Sequence, residues 1–91
     1  MIRSFRSRPL QALWERGVAA KVRPDLRERV LRRLDALDAA KRPGDLAVPG
    51  FDFHPLRGRP QRYSVHVNGP WCVTFGWDGE DAVDLDLENY H

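Results

Sequence analysis

Lysine is nearly missing from this chain. It supplies two of 91 residues, against thirteen arginines. Cationic contacts therefore fall to planar guanidinium groups, which hold carboxylates and phosphates through paired hydrogen bonds. A GC-rich genome would leave the same bias. A single cysteine excludes an internal disulfide and fits a reducing compartment, so a cytoplasmic location is expected. No apolar run approaches the roughly 20 residues that span a bilayer, and the N-terminus lacks the apolar stretch of a signal peptide. No membrane association is expected. Residues 63–91 contain no Lys or Arg at all.

That last absence exposes a charge polarity hidden by the net +2. Residues 1–33 carry ten Lys/Arg against three Asp/Glu, a balance of +7, residues 34–62 stand at +1, and residues 63–91 at −6. An excess of positive charge attracts polyanions and an acidic half repels them. A site is therefore expected at the junction, where basic loops overhang the rest. For the helical charges alone, ordinary solvated helix faces are the better account.

Ninety-one residues suffice for one domain, residues 1–91, with a modest core. Met1-Ile2-Arg3-Ser4-Phe5 alternates apolar with polar and predicts a short first strand. Ser7 suits a helix N-cap, Pro9 an early helical position and Gly17 the stop, with Leu10, Leu13 and Trp14 on one face. A second helix is expected from near Pro24 to before Pro43-Gly44. Leu26, Val30, Leu34 and Leu37 form its buried stripe, with Arg23, Arg27, Arg29, Arg32 and Arg33 outside. Asp45 to Arg62 reads as an excursion with a few extended residues at Phe51–Phe53. Three alternating runs follow, separated by Asn68-Gly69 and Asp78-Gly79, dipeptides that accept the positive φ of tight hairpins. The expected fold class is α+β: an N-terminal strand and two helices on a small antiparallel sheet that ends in a three-strand meander.

The last run alternates Val83, Leu85 and Leu87 with Asp84, Asp86 and Glu88, as if tied into a sheet, and leads to Asn89-Tyr90-His91. Upstream, His54-Pro55-Leu56-Arg57-Gly58-Arg59 places a second imidazole in a loop dense in guanidinium. Two imidazoles, a phenol and several arginines without metal-ligand spacing point to phosphate chemistry on RNA. Metal-independent cleavage needs a base for the ribose 2′-OH, an acid for the leaving 5′ oxygen, and cations around the transition state. His54 and His91 suit the first two roles. Tyr90 can donate a hydrogen bond or stack on a base, and Arg57, Arg59 and Arg62 can bind phosphate. No cofactor or metal is called for. The row Asp84, Asp86 and Glu88 offers Mg²⁺ ligands from one strand only, so a solvated strand face or a docking surface for a basic partner fits it better. His66 reads as structural, Cys72 as a small apolar residue, and Trp71 and Trp77 as packing residues.

The chain resembles the HigB branch of the RelE-like bacterial toxins, including the GraT-type proteins. The likeness is carried by Met1-Ile2-Arg3-Ser4-Phe5 leading to Leu13-Trp14-Glu15-Arg16-Gly17, by His54-Pro55-Leu56-Arg57-Gly58, by residues Ser64 to Phe75, and by Asn89-Tyr90-His91. Each is short; their order and spacing across the whole chain carry the resemblance. It implies a microbial-ribonuclease-like fold and ribosome-dependent cleavage of translated mRNA. It also implies a HigA-type helix-turn-helix antitoxin as partner, with operator DNA reached only through that antitoxin. His54 matches the family's loop histidine, and Tyr90 and His91 its C-terminal catalytic pair. Arg57 stands where many relatives have Lys, Cys72 where many have a phosphate-supporting Arg, Gly76 where a longer polar side chain is common, Tyr63 where Trp is common and Asn89 where an acid is common. Arg62 or Arg59 is the expected substitute for the strand arginine. Two other functions remain open on the residues: a ParE-like gyrase inhibitor of the same architecture, and a corepressor module acting with its antitoxin.

Overall fold

A computed structural model describes residues 1–90. Its order is helix α1 (Arg8–Arg16), helix α2 (Arg27–Ala39), a 3-10 turn (Pro43–Leu46), and strands β1 (His54–Leu56), β2 (Arg62–Asn68), β3 (Trp71–Asp78) and β4 (Asp81–Asn89). The strands form one antiparallel sheet in the order β1-β2-β3-β4. This is the expected α+β class, with the expected meander as its largest part.

Local chemistry explains α1. Ser7 Oγ accepts from the Leu10 N–H, Pro sits in the first turn, and Gly17 at φ 68° closes the helix. These groups satisfy backbone donors and acceptors that a helix leaves open at its ends. α2 starts at Arg27 rather than near Pro24, after a loop in which the Leu26 N–H bonds the Arg23 carbonyl. The helices make their main contacts with the sheet, α1 on β4 and α2 across β2 and β4. Leu10, Leu13, Val30, Leu34 and Leu37 meet Val65, Val67, Val73, Phe75 and Leu85 in one buried core. Each such side chain stabilises the fold by about 1.5–3 kcal/mol relative to exposure.

Several expectations shift. Met1–Phe5 forms no named strand. It lies along β4 through two parallel bridges, Ile2 with Ala82 and Phe5 with Leu85, covering a sheet edge that would otherwise stand open. The extended residues foreseen at Phe51–Phe53 come slightly later, at His54–Leu56. The hairpin turns centre on Gly69-Pro70 and Gly79-Glu80, with the glycines at φ 55° and 63°. Glycine thus takes the first central position, the one that needs positive φ.

Two corrections matter for function. Arg33, expected outside, is buried at 5% exposure. Its guanidinium lies 4.4 Å over the Phe51 ring and donates to the carbonyls of His66, Arg29 and Gly50. Burial, then the charges of Arg29 and Arg32, lowers its pKa. The second correction is a bulge in β4. Thr74 pairs with Asp86 but Gly76 pairs with Val83, so β4 spends one extra residue there, with Asp84 at φ 53°. Ala82 is therefore buried instead of Val83, and Asp84 leaves the acidic row. Its N–H bonds Ser4 Oγ, which donates in turn to the Asp84 carboxylate.

Candidate active site

Residues directly opposite in an antiparallel pair share a sheet face. Tyr63, Val65, Val73 and Phe75 therefore face the helices, and Arg62, Ser64, His66, Cys72, Thr74 and Gly76 face away. Across this second face the register aligns His54, Ser64, Thr74 and Asp86 in one row, with His66, Cys72 and Glu88 in the next. The candidate site lies here.

Its centre is a cleft of ≈ 320 Å³ walled by Arg6, Arg57, Arg59, Arg62, Glu88 and Tyr90, with the Leu56–Pro60 backbone along one side. The Arg59–Pro60 peptide is cis. Gln61 Nε2 ties this loop down by donating to the Leu56 and Arg62 carbonyls at 3.0 and 2.8 Å. Arg57 and Arg59 are exposed, and among the described residues no carboxylate forms an ion pair with either. Their charges are open to a ligand.

Arg62 is held differently. Its Nη2 donates to Thr74 Oγ1 at 3.1 Å and to the Asp84 carbonyl at 2.8 Å. A Cβ at Gly76 would press on Val83 Cγ2 at 3.3 Å while meeting Arg62 Nη1 only at an ordinary contact distance of 3.9 Å. Burial and the neighbouring Arg6 charge lower the Arg62 pKa, while Glu88, Asp84 and Asp86 oppose that shift. Thr74 Oγ1 passes its own hydrogen to Glu88 Oε2 at 2.5 Å, and the Tyr90 phenol points to the same oxygen at 3.4 Å. Burial, then the Glu88 charge, raises the Tyr90 pKa. The phenol is a hydrogen-bond donor at neutral pH, not a base. The Tyr90 N–H anchors on the Pro70 carbonyl at 2.7 Å.

The cleft thus brings together Arg57, Arg59, Arg62 and Tyr90. His54 is not among the described residues that wall it. It stands on the same face at the outer strand, exposed, with Nδ1 3.0 Å from the Asp52 carbonyl. A carbonyl only accepts, so Nδ1 carries the hydrogen in this contact, which in a neutral ring makes Nε2 the acceptor. His91 lies outside the described residues. Sequence reasoning missed Arg6, Thr74 and Ser64, and read Glu88 as surface charge. Arg6 and Glu88 flank Arg62 from opposite ends of the chain, and no local spacing signals that. His66, in contrast, ties the β2–β3 hairpin, with Nε2 2.8 Å from the Gly69 carbonyl.

Among the described residues, no group of three or more His, Cys, Asp or Glu is placed to hold a metal ion. A larger groove of ≈ 520 Å³ runs beside α2 between Glu28, Arg29, Arg32 and Phe51. It brings in no imidazole or phenol among the described residues. Among these residues no helix is long and apolar enough to cross a membrane.

The family model for the RelE-like toxin of type II toxin–antitoxin system HigB matches residues 3–91. A protein named Endoribonuclease HigB, from Proteus vulgaris, is 37% identical over 92 residues, covering 100% of both chains.

Proposed function

The chain belongs to the HigB-like family of RelE-like toxins of type II toxin–antitoxin systems, and from that premise we propose that it is a metal-independent endoribonuclease cutting mRNA on translating ribosomes. The observation that supports this most is the cleft in which Arg57 and Arg59 have no carboxylate partner among the described residues, beside a protonated Tyr90. Such a pocket suits a phosphodiester. Preorganised cations stabilise the extra charge of the transition state, where electrostatic catalysis is largest.

His54 acts as base through its free Nε2 and removes the proton of the ribose 2′-OH. The 2′ oxygen attacks phosphorus, the bond to the 5′ oxygen breaks, and His91 protonates that leaving oxygen. The products are a 2′,3′-cyclic phosphate and a 5′-OH. Tyr90 donates to a phosphate oxygen or stacks on a base, while Arg57, Arg59 and Arg62 hold phosphates. His54 lies two strand spacings from Thr74, roughly 10 Å of backbone separation, so the RNA backbone crosses the strands. The toxin acts in the cytoplasm as one domain, residues 1–91. A HigA-type helix-turn-helix antitoxin neutralises it and alone contacts operator DNA.

Primer extension on programmed ribosomes tests the reading. Cuts should appear within translated frames and persist when free divalent metal is limited to what ribosomes need, while naked RNA stays largely intact. A strict demand for additional metal would refute the mechanism. Ribosome binding should also weaken steeply with salt. Arg57→Ala should reduce the slope of log K against log salt by about 0.7–0.9, the loss of one phosphate contact. An unchanged slope and affinity would remove Arg57 from the phosphate site.

A further inference from the structure

We propose that Arg62 and Thr74 form a phosphate subsite that the chain fills with its own Glu88 carboxylate until RNA arrives. The inference deepens the ribonuclease reading and rests on it. Thr74 is fully buried, and its hydroxyl links the two charged partners, accepting from Arg62 Nη2 at 3.1 Å and donating to Glu88 Oε2 at 2.5 Å. Tyr90 OH approaches that same oxygen, at 3.4 Å. One carboxylate oxygen therefore collects two hydroxyl donors beside a guanidinium, the arrangement a non-bridging phosphate oxygen seeks.

Two observations mark Glu88 as a place-holder. Arg57 and Arg59 share its cleft without ion-pair partners among the described residues, so the pocket holds more positive charge than one carboxylate balances. Ser64 Oγ, fully buried beside Thr74 in the same row, has no hydrogen-bond partner among the described residues. A buried hydroxyl without a partner costs about 1–3 kcal/mol. The planar carboxylate does not reach it, whereas a tetrahedral phosphate seated on Thr74 presents oxygens in more directions. Glu88 and a phosphate cannot share the seat, because like charges a few ångströms apart repel strongly away from bulk water. Glu88 is carried on β4 opposite Cys72, so it yields by rotating its side chain with the strand in place.

The test is calorimetric titration of inorganic phosphate into the purified toxin without ribosomes. Glu88→Gln keeps the shape and removes the competing charge, so phosphate should bind about tenfold more tightly, the equivalent of about 1.4 kcal/mol. In the Glu88→Gln background, Thr74→Val should erase the gain and Thr74→Ser should retain it, with thermal melts showing that each variant folds. Unchanged or weaker phosphate binding by Glu88→Gln would overturn the proposal, as would a gain that survives Thr74→Val. The readout is separate from catalysis. Tighter binding with no cuts on ribosomes would count against the ribonuclease reading alone, and cuts without tighter binding against the subsite alone.

Discussion

Replacing His54 with alanine should slow mRNA cleavage by about 10²–10⁴-fold, the usual consequence of losing a general acid or base. The fold should be indifferent. His54 is exposed at the start of a three-residue outer strand, and substitutions at such places usually change stability by no more than about 0.5 kcal/mol. Antitoxin binding and cooperative unfolding should therefore persist while toxicity is relieved. His91→Ala should behave alike, since the reaction needs both proton transfers. Tyr90→Phe separates the remaining roles: a large loss assigns catalysis to the phenol hydrogen, a small one to the ring. Growth assays at matched expression, with primer extension, provide the measurement. A His54→Ala protein that stays fully toxic would end the proposed mechanism and make gyrase inhibition the next assay.

Arg33→Ala should destabilise the protein by roughly 2–4 kcal/mol. It removes a cation–π contact and leaves carbonyls on β2 and the Gly50 loop without their charged donor. For a chain of this size that lowers the melting temperature by about 10–25 °C. Arg33→Lys should recover little, because an ammonium cannot lie flat on Phe51 while reaching both the His66 and Gly50 carbonyls. Cleavage should fall as well, below the loss of stability at temperatures where the variant remains folded. Gly50 and Phe51 lead directly into Asp52, whose carbonyl sets the His54 tautomer. A melting temperature within a few degrees of the parent would show that Arg33 is dispensable.

Legibility in the sequence followed the range of the interactions. Ser7, Pro9 and Gly17 act within one turn of their own positions, so α1 could be placed closely. The meander was equally plain, because alternation and glycine turns are local. Arg33 was misplaced even though its spacing held the clue: three residues after Val30 and four before Leu37, it falls on the buried stripe. Charge alone argued for the outside, and the Phe51 ring and two of the three accepting carbonyls, those of His66 and Gly50, come from other segments. The site divides in the same way. Arg57, Arg59 and Arg62 sit close together in sequence, whereas Arg6, Thr74 and Glu88 meet only through folding. Basic loops were expected to overhang the site, and the loop carrying Arg57 and Arg59 does wall the cleft, while the basic helices lie across the sheet from it.

The bulge at Asp84 makes β4 a counting device. Side chains on a strand alternate sides, so each residue's side depends on whether its distance from the hairpin is odd or even, and the extra residue inverts that parity once. Upstream of it Ala82 faces the core; downstream Leu85 does, and Glu88 comes to stand over the cleft. Ser4 holds the inversion in place from the far end of the chain. Smoothing the bulge out with every residue kept would leave composition, charge pattern and hairpin untouched, yet turn Leu87 to the cleft face and Glu88 into the core. Deleting the extra residue would instead restore regular alternation with both on their present sides.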